Sequence, residues 1–389
     1  MPQTEGTINS MGIETKLNYD DVTIVPSVVT DICSRSTCWP YDENGYLPIF
    51  ASCMSSVVSI ENTKYFNRAK IRTVIPRSYP VKERLKYLEH LSGPNFVAFS
   101  LNEVKELFCE HMFIPPSMVD EERPLKICID LANGHMRCLL STVKCIKDLY
   151  GSKIRIMTGN IANPKTYEEY EKVGVDYVRV SIGTGNVCST SSNTAVHYPA
   201  FSLLKEIYEI KERIEGKCMV VADGGIRGYR DIQKALIYAD YVMIGSLFNK
   251  AIESAGKTTY GTFYWNVRGK KIARPLKTLL YFGREVPKEK YEEVYKLVKA
   301  GKLTVWKENF GMSTKIAQSI INEANSIETK KLKTSEGLLK YQKVEFDLMG
   351  WAENEIDYLC SAMSYTNSKN LAEYKNSEWA RITNIRYNN

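Results

Sequence analysis

The chain has 389 residues, 44% hydrophobic and 25% charged, with 52 Lys and Arg against 45 Asp and Glu. That is an ordinary globular composition with enough length for a full core. The net charge of +7 comes without a long Lys/Arg block, so a small anionic ligand is the expected partner and nucleic acid is not. Ten cysteines form no CxxC pair and only four His are present, which argues against a zinc site and against a small disulfide scaffold. With no signal-peptide h-region and no apolar run that spans a bilayer, a cytoplasmic compartment and no membrane association are expected.

Residues 1–12 read as a disordered N-terminus and 13–365 as one catalytic domain. Short apolar runs then recur near 48–53, 71–76, 95–99, 126–131, 154–158, 176–180, 218–222 and 240–244. Helical patterns separate them, at 164–173, 200–215 and 229–238 among others. Continuous apolar strands alternating with helices mean parallel βαβ units. Eight in succession fit an α/β fold of the (β/α)₈ TIM-barrel type better than an open sheet. The rhythm breaks after residue 250. Residues 260–284 are polar and aromatic, 286–300 read as an exposed helix, and 328–335 are Lys-rich. The excursion 260–335 is a candidate flap or lid. A final helical stretch near 352–364 precedes a polar tail, 366–389.

Polar and small residues gather at the C-terminal ends of the strands. The fourth ends in Asp130-Leu131-Ala132-Asn133-Gly134 and the fifth in Thr158-Gly159-Asn160. The sixth runs into the Gly-rich loop 181–190. The seventh ends in Asp223-Gly224-Gly225 and the eighth in Gly245-Ser246. In a barrel these ends share the face on which active sites are built. The loops after the seventh and eighth strands suit a phosphate, because Gly lets backbone N–H groups approach an anion.

Cys188 stands in a Gly-x-Gly-x-x-Cys turn on that face, with Ser189 and Thr190 behind it. A thiol so placed is a candidate nucleophile for an electrophilic carbon. The ionised carboxylate of Asp223 only accepts hydrogen bonds, which suits a ribose diol. Asp130 and Glu336 are candidates to orient a cofactor or move a proton. His135 and His197 flank the loops and read as hydrogen-bonding bystanders.

These residues resemble the IMP dehydrogenase/GMP reductase family over roughly residues 15–365. The matching motifs are Leu17-Asn18-Tyr19-Asp20-Asp21-Val22 with Pro26, then Ala51-Ser52-Cys53-Met54. They continue with the loop Gly183-Thr184-Gly185-Asn186-Val187-Cys188, then Asp223-Gly224-Gly225, then Gly245-Ser246. The stretch from Glu336-Gly337 to Ser361-Ala362-Met363-Ser364-Tyr365 also matches. The resemblance implies that Cys188 attacks C2 of a purine nucleoside monophosphate and forms a covalent thioimidate. By the same resemblance, Asp223 holds the ribose hydroxyls, and Gly224 beside it is part of the substrate site. Ser52, Met54, Asn186, Gly225, Gly245 and Ser246 lie along the nucleotide and its phosphate, and Gly311, Met312 and Ser313 meet the base edge. Asp130, Ala132, Asn133, Gly134, Gly159 and Gly183 would face a nicotinamide cofactor. The carbonyls of Gly183, Gly185 and Cys188 would line a monovalent cation site, K⁺ by analogy. A homotetramer is the usual assembly in the family.

Two reactions share the thioimidate. A dehydrogenase takes IMP to XMP with NAD; a reductase takes GMP to IMP and ammonia with NADPH. The stretch 130–134 resembles the reductase form. Residues 314–335 contain no Arg and no Tyr, so the Arg-Tyr pair that activates water in the dehydrogenase flap is missing. Only eighteen residues separate Arg77 from Phe96, which leaves no room for the tandem regulatory module of many dehydrogenases. Thr190 and Glu336 match the reductase pair that handles the leaving ammonia, so the catalytic set is Cys188, Thr190 and Glu336. The alternatives are an IMP dehydrogenase with an atypical flap, using Lys330 or Lys331 near the water, and a nucleotide-binding barrel without turnover. The chain departs from the family pattern at Asn186, where a Ser is expected at the phosphate, at Ser191, where reductases carry Arg, and at Asn309, where an aromatic residue is expected. The segment 260–308 is longer than in typical reductases.

Overall fold

The computed structural model describes residues 15–89, 93–111, 113, 114, 119–186, 188–267, 270–275, 291–326, 332, 334 and 337–382. Residues 1–12, Lys330, Lys331 and Glu336 therefore lie outside the described residues. After a short strand β1 (Val22–Ile24), eight parallel strands close into a barrel. They are β2 (Ile49–Ala51), β3 (Arg72–Ile75), β4 (Phe96–Phe99) and β5 (Leu125–Asp130). The second half is β6 (Ile154–Ile161), β7 (Tyr177–Val180), β8 (Met219–Asp223) and β9 (Tyr241–Ile244). Pairing of Phe50 with Met243 closes the ring. Each strand falls within a run read from the sequence or extends it by a few residues. The fold is the (β/α)₈ barrel expected from the strand–helix alternation.

Side chains alternate across each strand, and the inward set fills the barrel. Phe50, Phe96, Tyr177 and Tyr241 contact one another in a closed ring, with centroids 5.2 to 5.8 Å apart between successive members. This aromatic layer fills the barrel interior near the start of the strands. The outward set packs against the helices, among them Arg137–Tyr150, Ala200–Arg213 and Leu348–Tyr365, in one continuous core.

The excursion after the barrel carries regular secondary structure. It contributes β10 (Thr258–Val267), β11 (Lys270–Pro275), β12 (Leu303–Phe310) and β13 (Leu339–Lys343). They form an antiparallel sheet in the order β11-β10-β12-β13. The helix Tyr291–Lys299 is not wholly exposed, since Val294 is buried with Ile252, Leu303, Val305 and Val344. The sheet is fastened to the barrel rim by buried polar groups. Lys307 donates to the carbonyls of Ile252 (2.7 Å) and Ser254 (2.6 Å), and the Asn249 amide donates to those of Ser56 and Glu308, both at 2.8 Å. Buried donors matched to carbonyls in this way resist being pulled into water.

The segment read as a polar tail from residue 366 carries a helical turn, Leu371–Tyr374, and β14 (Trp379–Arg381). β14 pairs with β1, Val22 opposite Arg381. Two aromatic anchors account for this order in an otherwise polar sequence. Tyr374 is fully buried, and Trp379 lies against Phe201 and donates its indole N–H to Tyr238 Oη at 2.7 Å. No described helix is long and apolar enough to cross a membrane.

Candidate active site

The uppermost inward positions of the barrel are charged. Cys128, Tyr177 and Val221 belong to the inner core, so Asp130, Arg179 and Asp223, two residues further along each strand, also point inward. Arg179 Nη1 donates to Asp130 Oδ1 at 3.0 Å, and its Nη2 lies 2.8 Å from Asp223 Oδ2. Arg77, just past β3, donates to Asp130 Oδ2 at 3.0 Å, and the Asn160 amide donates to Asp223 Oδ2 at 2.9 Å. Burial alone would push the Asp130 carboxyl up, but the charges of Arg77 and Arg179 outweigh it and hold the group down at about 2. Asp130 is therefore an anion at neutral pH. Burial opposes the charge on Arg179 too, and Asp223 leads the groups that overcome it and keep the guanidinium cationic.

Arg179 and Arg77 were not singled out in the sequence. The available signal was a lone Arg inside the apolar strand run 176–180, a placement that requires a buried acid as partner. Gly159 sits between these partners, since β6 pairs it with Asp130 on one side and Arg179 on the other. A Cβ at Gly159 would collide with the Arg179 carbonyl oxygen and come 2.8 Å from Arg179 Cβ. Its lack of a side chain is what lets the Arg179–Asp130 pair close over it.

The loop after β7 is braced internally. The hydroxyls of Ser181 and Thr184 are 2.7 Å apart, Ser191 Oγ donates to the Gly183 carbonyl at 2.9 Å, and the Cys188 N–H donates to the Gly185 carbonyl at 2.9 Å. These bonds hold Cys188 at the mouth, partly exposed, with its thiol donating to Thr190 Oγ1 at 3.2 Å. Gly224 packs so closely beneath this loop that a Cβ there would collide with Thr184 Oγ1, and its φ of +103° also requires Gly. A backbone bridge joins Cys188 to Gly337, which sets the neighbour of Glu336 against the thiol-bearing loop.

Three further segments converge from the other side of the mouth. Gly245 faces Met54, whose sulfur would be 2.6 Å from a Cβ there, and Ser52 lies next to both. Ser55 Oγ reaches Met312 Sδ at 3.7 Å, while Ser56 Oγ accepts from the Phe310 N–H at 3.3 Å and so fixes Gly311–Ser313. Gly225 lies against the Tyr19 ring and Thr184, and Ser246 is half-buried beside Gly245. Asn186 is exposed on the Cys188 loop and is held by Lys340 of β13.

The residues expected to face a cofactor divide. Asp130 reaches the mouth, and Ala132 and Asn133 are exposed on the following loop. Gly134 is buried under that loop, packed on the Asn160 carbonyl and the Tyr170 hydroxyl, so it shapes the loop from below, as Gly159 does. Gly183 is half-buried, with its carbonyl occupied by Ser191. Both rings of the flanking histidines are engaged. His135 Nε2 accepts from the Ala162 N–H at 3.1 Å with Nδ1 at Thr166, and His197 Nδ1 lies 3.1 Å from the Ile182 carbonyl.

The family model of the IMP dehydrogenase / GMP reductase domain matches residues 118–301, which run from β5 through the Cys188 loop to β11 and the helix Tyr291–Lys299. A GMP reductase of Caenorhabditis elegans is 31% identical over 254 residues, 62% of this chain and 69% of that protein. The chain belongs to the IMP dehydrogenase / GMP reductase family. A GMP reductase of Oceanobacillus iheyensis is 29% identical over 252 residues, 63% of this chain and 74% of that protein. One of Streptococcus pyogenes is 27% identical over 281 residues, 67% and 83%. Membership makes the chain an oxidoreductase enzyme.

Proposed function

We propose that this member of the family reductively deaminates GMP to IMP and ammonia with NADPH, through a thioimidate on Cys188. The observation that carries the reading is the 3.2 Å contact of Cys188 Sγ with Thr190 Oγ1, together with the bridge from Cys188 to Gly337, the residue after Glu336. A nucleophile, a hydroxyl that relays a proton, and a flap carboxylate next in chain to the bridge are the groups a deamination needs. The Cys188 sulfur forms a bond to C2 of the guanine as its proton passes through Thr190 to Glu336, the same proton returns to the 2-amino group, which departs as ammonia as the C2–N bond breaks, and hydride supplied at C2 would release the thiolate and IMP.

In this reading the substrate lies between the two halves of the mouth. Asp223, fixed by Arg179 and Asn160, accepts from the ribose hydroxyls. Gly224, Gly225, Gly245 and Ser246 present backbone to the phosphate end, with Ser52 and Met54 beside them and Met312 and Ser313 at the base. The donor set suits a nicotinamide: Asp130 is an anion able to accept from a carboxamide N–H₂, and Ala132 and Asn133 leave an exposed loop edge beside it. Bound there, the reduced cofactor supplies hydride. The carbonyls of Gly183 and Gly185 each accept one hydrogen bond within the loop, which leaves each a second lone pair that would hold a monovalent cation, and no step runs through one.

Purified protein mixed with GMP and NADPH is expected to consume the cofactor's absorbance and release one ammonia per cofactor oxidised. Turnover on IMP with NAD, and none on GMP, would replace the reductase with a dehydrogenase. Calorimetric binding of GMP without turnover of either pair would leave a nucleotide-binding barrel.

A further inference from the structure

The geometry points to Lys340 as a ligand of the substrate's phosphate, carried to the Cys188 loop by the inserted sheet. The inference rests on the nucleotide site proposed above. The Lys340 ammonium donates to the Asn186 backbone carbonyl at 2.6 Å and to Asn186 Oδ1 at 3.0 Å. Lys340 is also the register partner of Asn309 on β12. Paired residues in an antiparallel sheet project on the same face with Cβ atoms about 5 Å apart. Asn309 is fully buried, and its amide nitrogen has no hydrogen-bond partner. Lys340 thus bonds one position where the chain departs from the family pattern, Asn186, and is the cross-strand neighbour of another, Asn309.

The chemistry of the pair fits an anion. By drawing Asn186 Oδ1 to itself, Lys340 occupies the acceptor end of the amide and leaves its NH₂ end as the group that can donate to a ligand. The site then offers an amide donor and a cation in place of the hydroxyl donor expected at position 186. Ammonium-to-phosphate hydrogen bonds are the stronger, charge-assisted kind.

The test is calorimetric titration of the full chain and of its Lys340→Met and Lys340→Arg variants with GMP, IMP, guanosine and inosine. Thermal melting of each variant checks that the fold is kept. Lys340→Met is expected to weaken the monophosphates about ten- to a hundred-fold and leave the nucleosides unchanged, and Lys340→Arg to restore most of the loss. Unchanged monophosphate affinity, or an equal loss with the nucleosides, overturns the assignment. If IMP binds and GMP does not, and Lys340→Met still weakens IMP but not inosine, the phosphate assignment stands while the reductase reading falls. A wild-type chain that binds neither nucleotide overturns both.

Discussion

Arg179 reaches over Gly159 to Asp130, with 3.0 Å between Nη1 and Oδ1, and the same guanidinium lies 2.8 Å from Asp223. One buried cation therefore joins the acid expected to face the cofactor to the acid expected to hold the ribose. Breaking a buried pair by removing one partner costs about 3–5 kcal/mol, because the remaining charge is stranded. Arg179→Leu is expected to lose roughly 3 kcal/mol in denaturant unfolding, and to lose activity even at temperatures where it stays folded. A variant with wild-type turnover would separate this ion network from the chemistry.

The same network sets an acid limit. The folded value of about 2 for Asp130 lies below the ordinary 3.8, so its stabilisation is complete above that ordinary value and is lost as pH falls through about 2. The contribution is roughly 2 kcal/mol. Comparing Asp130→Asn with wild type by denaturant unfolding across pH 2 to 5 checks it. The wild-type curve should fall more steeply toward acid.

Gly159→Ala should be among the most damaging small substitutions in the barrel. The added Cβ meets the Arg179 backbone, which cannot swing aside, in a backbone conformation with φ +143°. A loss of about 2–4 kcal/mol is expected. Gly45→Ala is the control: it also has a positive φ but open space around its α-carbon, so about 1 kcal/mol is expected. Similar unfolding midpoints for the two variants would contradict the packing account of Gly159.

Glu253 works in the opposite direction to Asp130. It lies between the barrel and the inserted sheet, 8% exposed, with both carboxylate oxygens 3.2 Å from the Leu348 N–H. Burial, the largest influence, pushes it up to about 7. The protonated form is the one the fold prefers. Its stabilisation is therefore complete below the ordinary value of 4.5 and is lost as pH rises through about 7, roughly 3 kcal/mol in all. Glu253→Gln should flatten the wild-type decline in stability between pH 4.5 and 7, which equilibrium unfolding at a series of pH values would read.

The barrel was legible because each of its strands is a continuous apolar run, and runs of that kind separated by helices have few other ways to pack. The site was legible where chemistry is local in sequence, as in the Cys188 loop and the Asp223-Gly224-Gly225 turn. Arg179 and Arg77 were not, because their meaning lies in partners 44 to 53 residues away that only the closed barrel brings near. The inserted sheet was missed for a related reason. Its strands pair across segments such as β10 and β12, and its anchor Lys307 looks in sequence like any surface lysine. Gly134 and Gly159 were expected to face a ligand, yet they are glycines because protein packs against them. Sequence alone does not distinguish the two.

The proposed role of Cys188 is covalent work on a nucleotide. The most direct test compares turnover of GMP with NADPH, and calorimetric GMP binding, in wild type and Cys188→Ala. Loss of turnover with GMP affinity largely retained is the predicted result. Turnover that survives in Cys188→Ala would contradict the covalent mechanism.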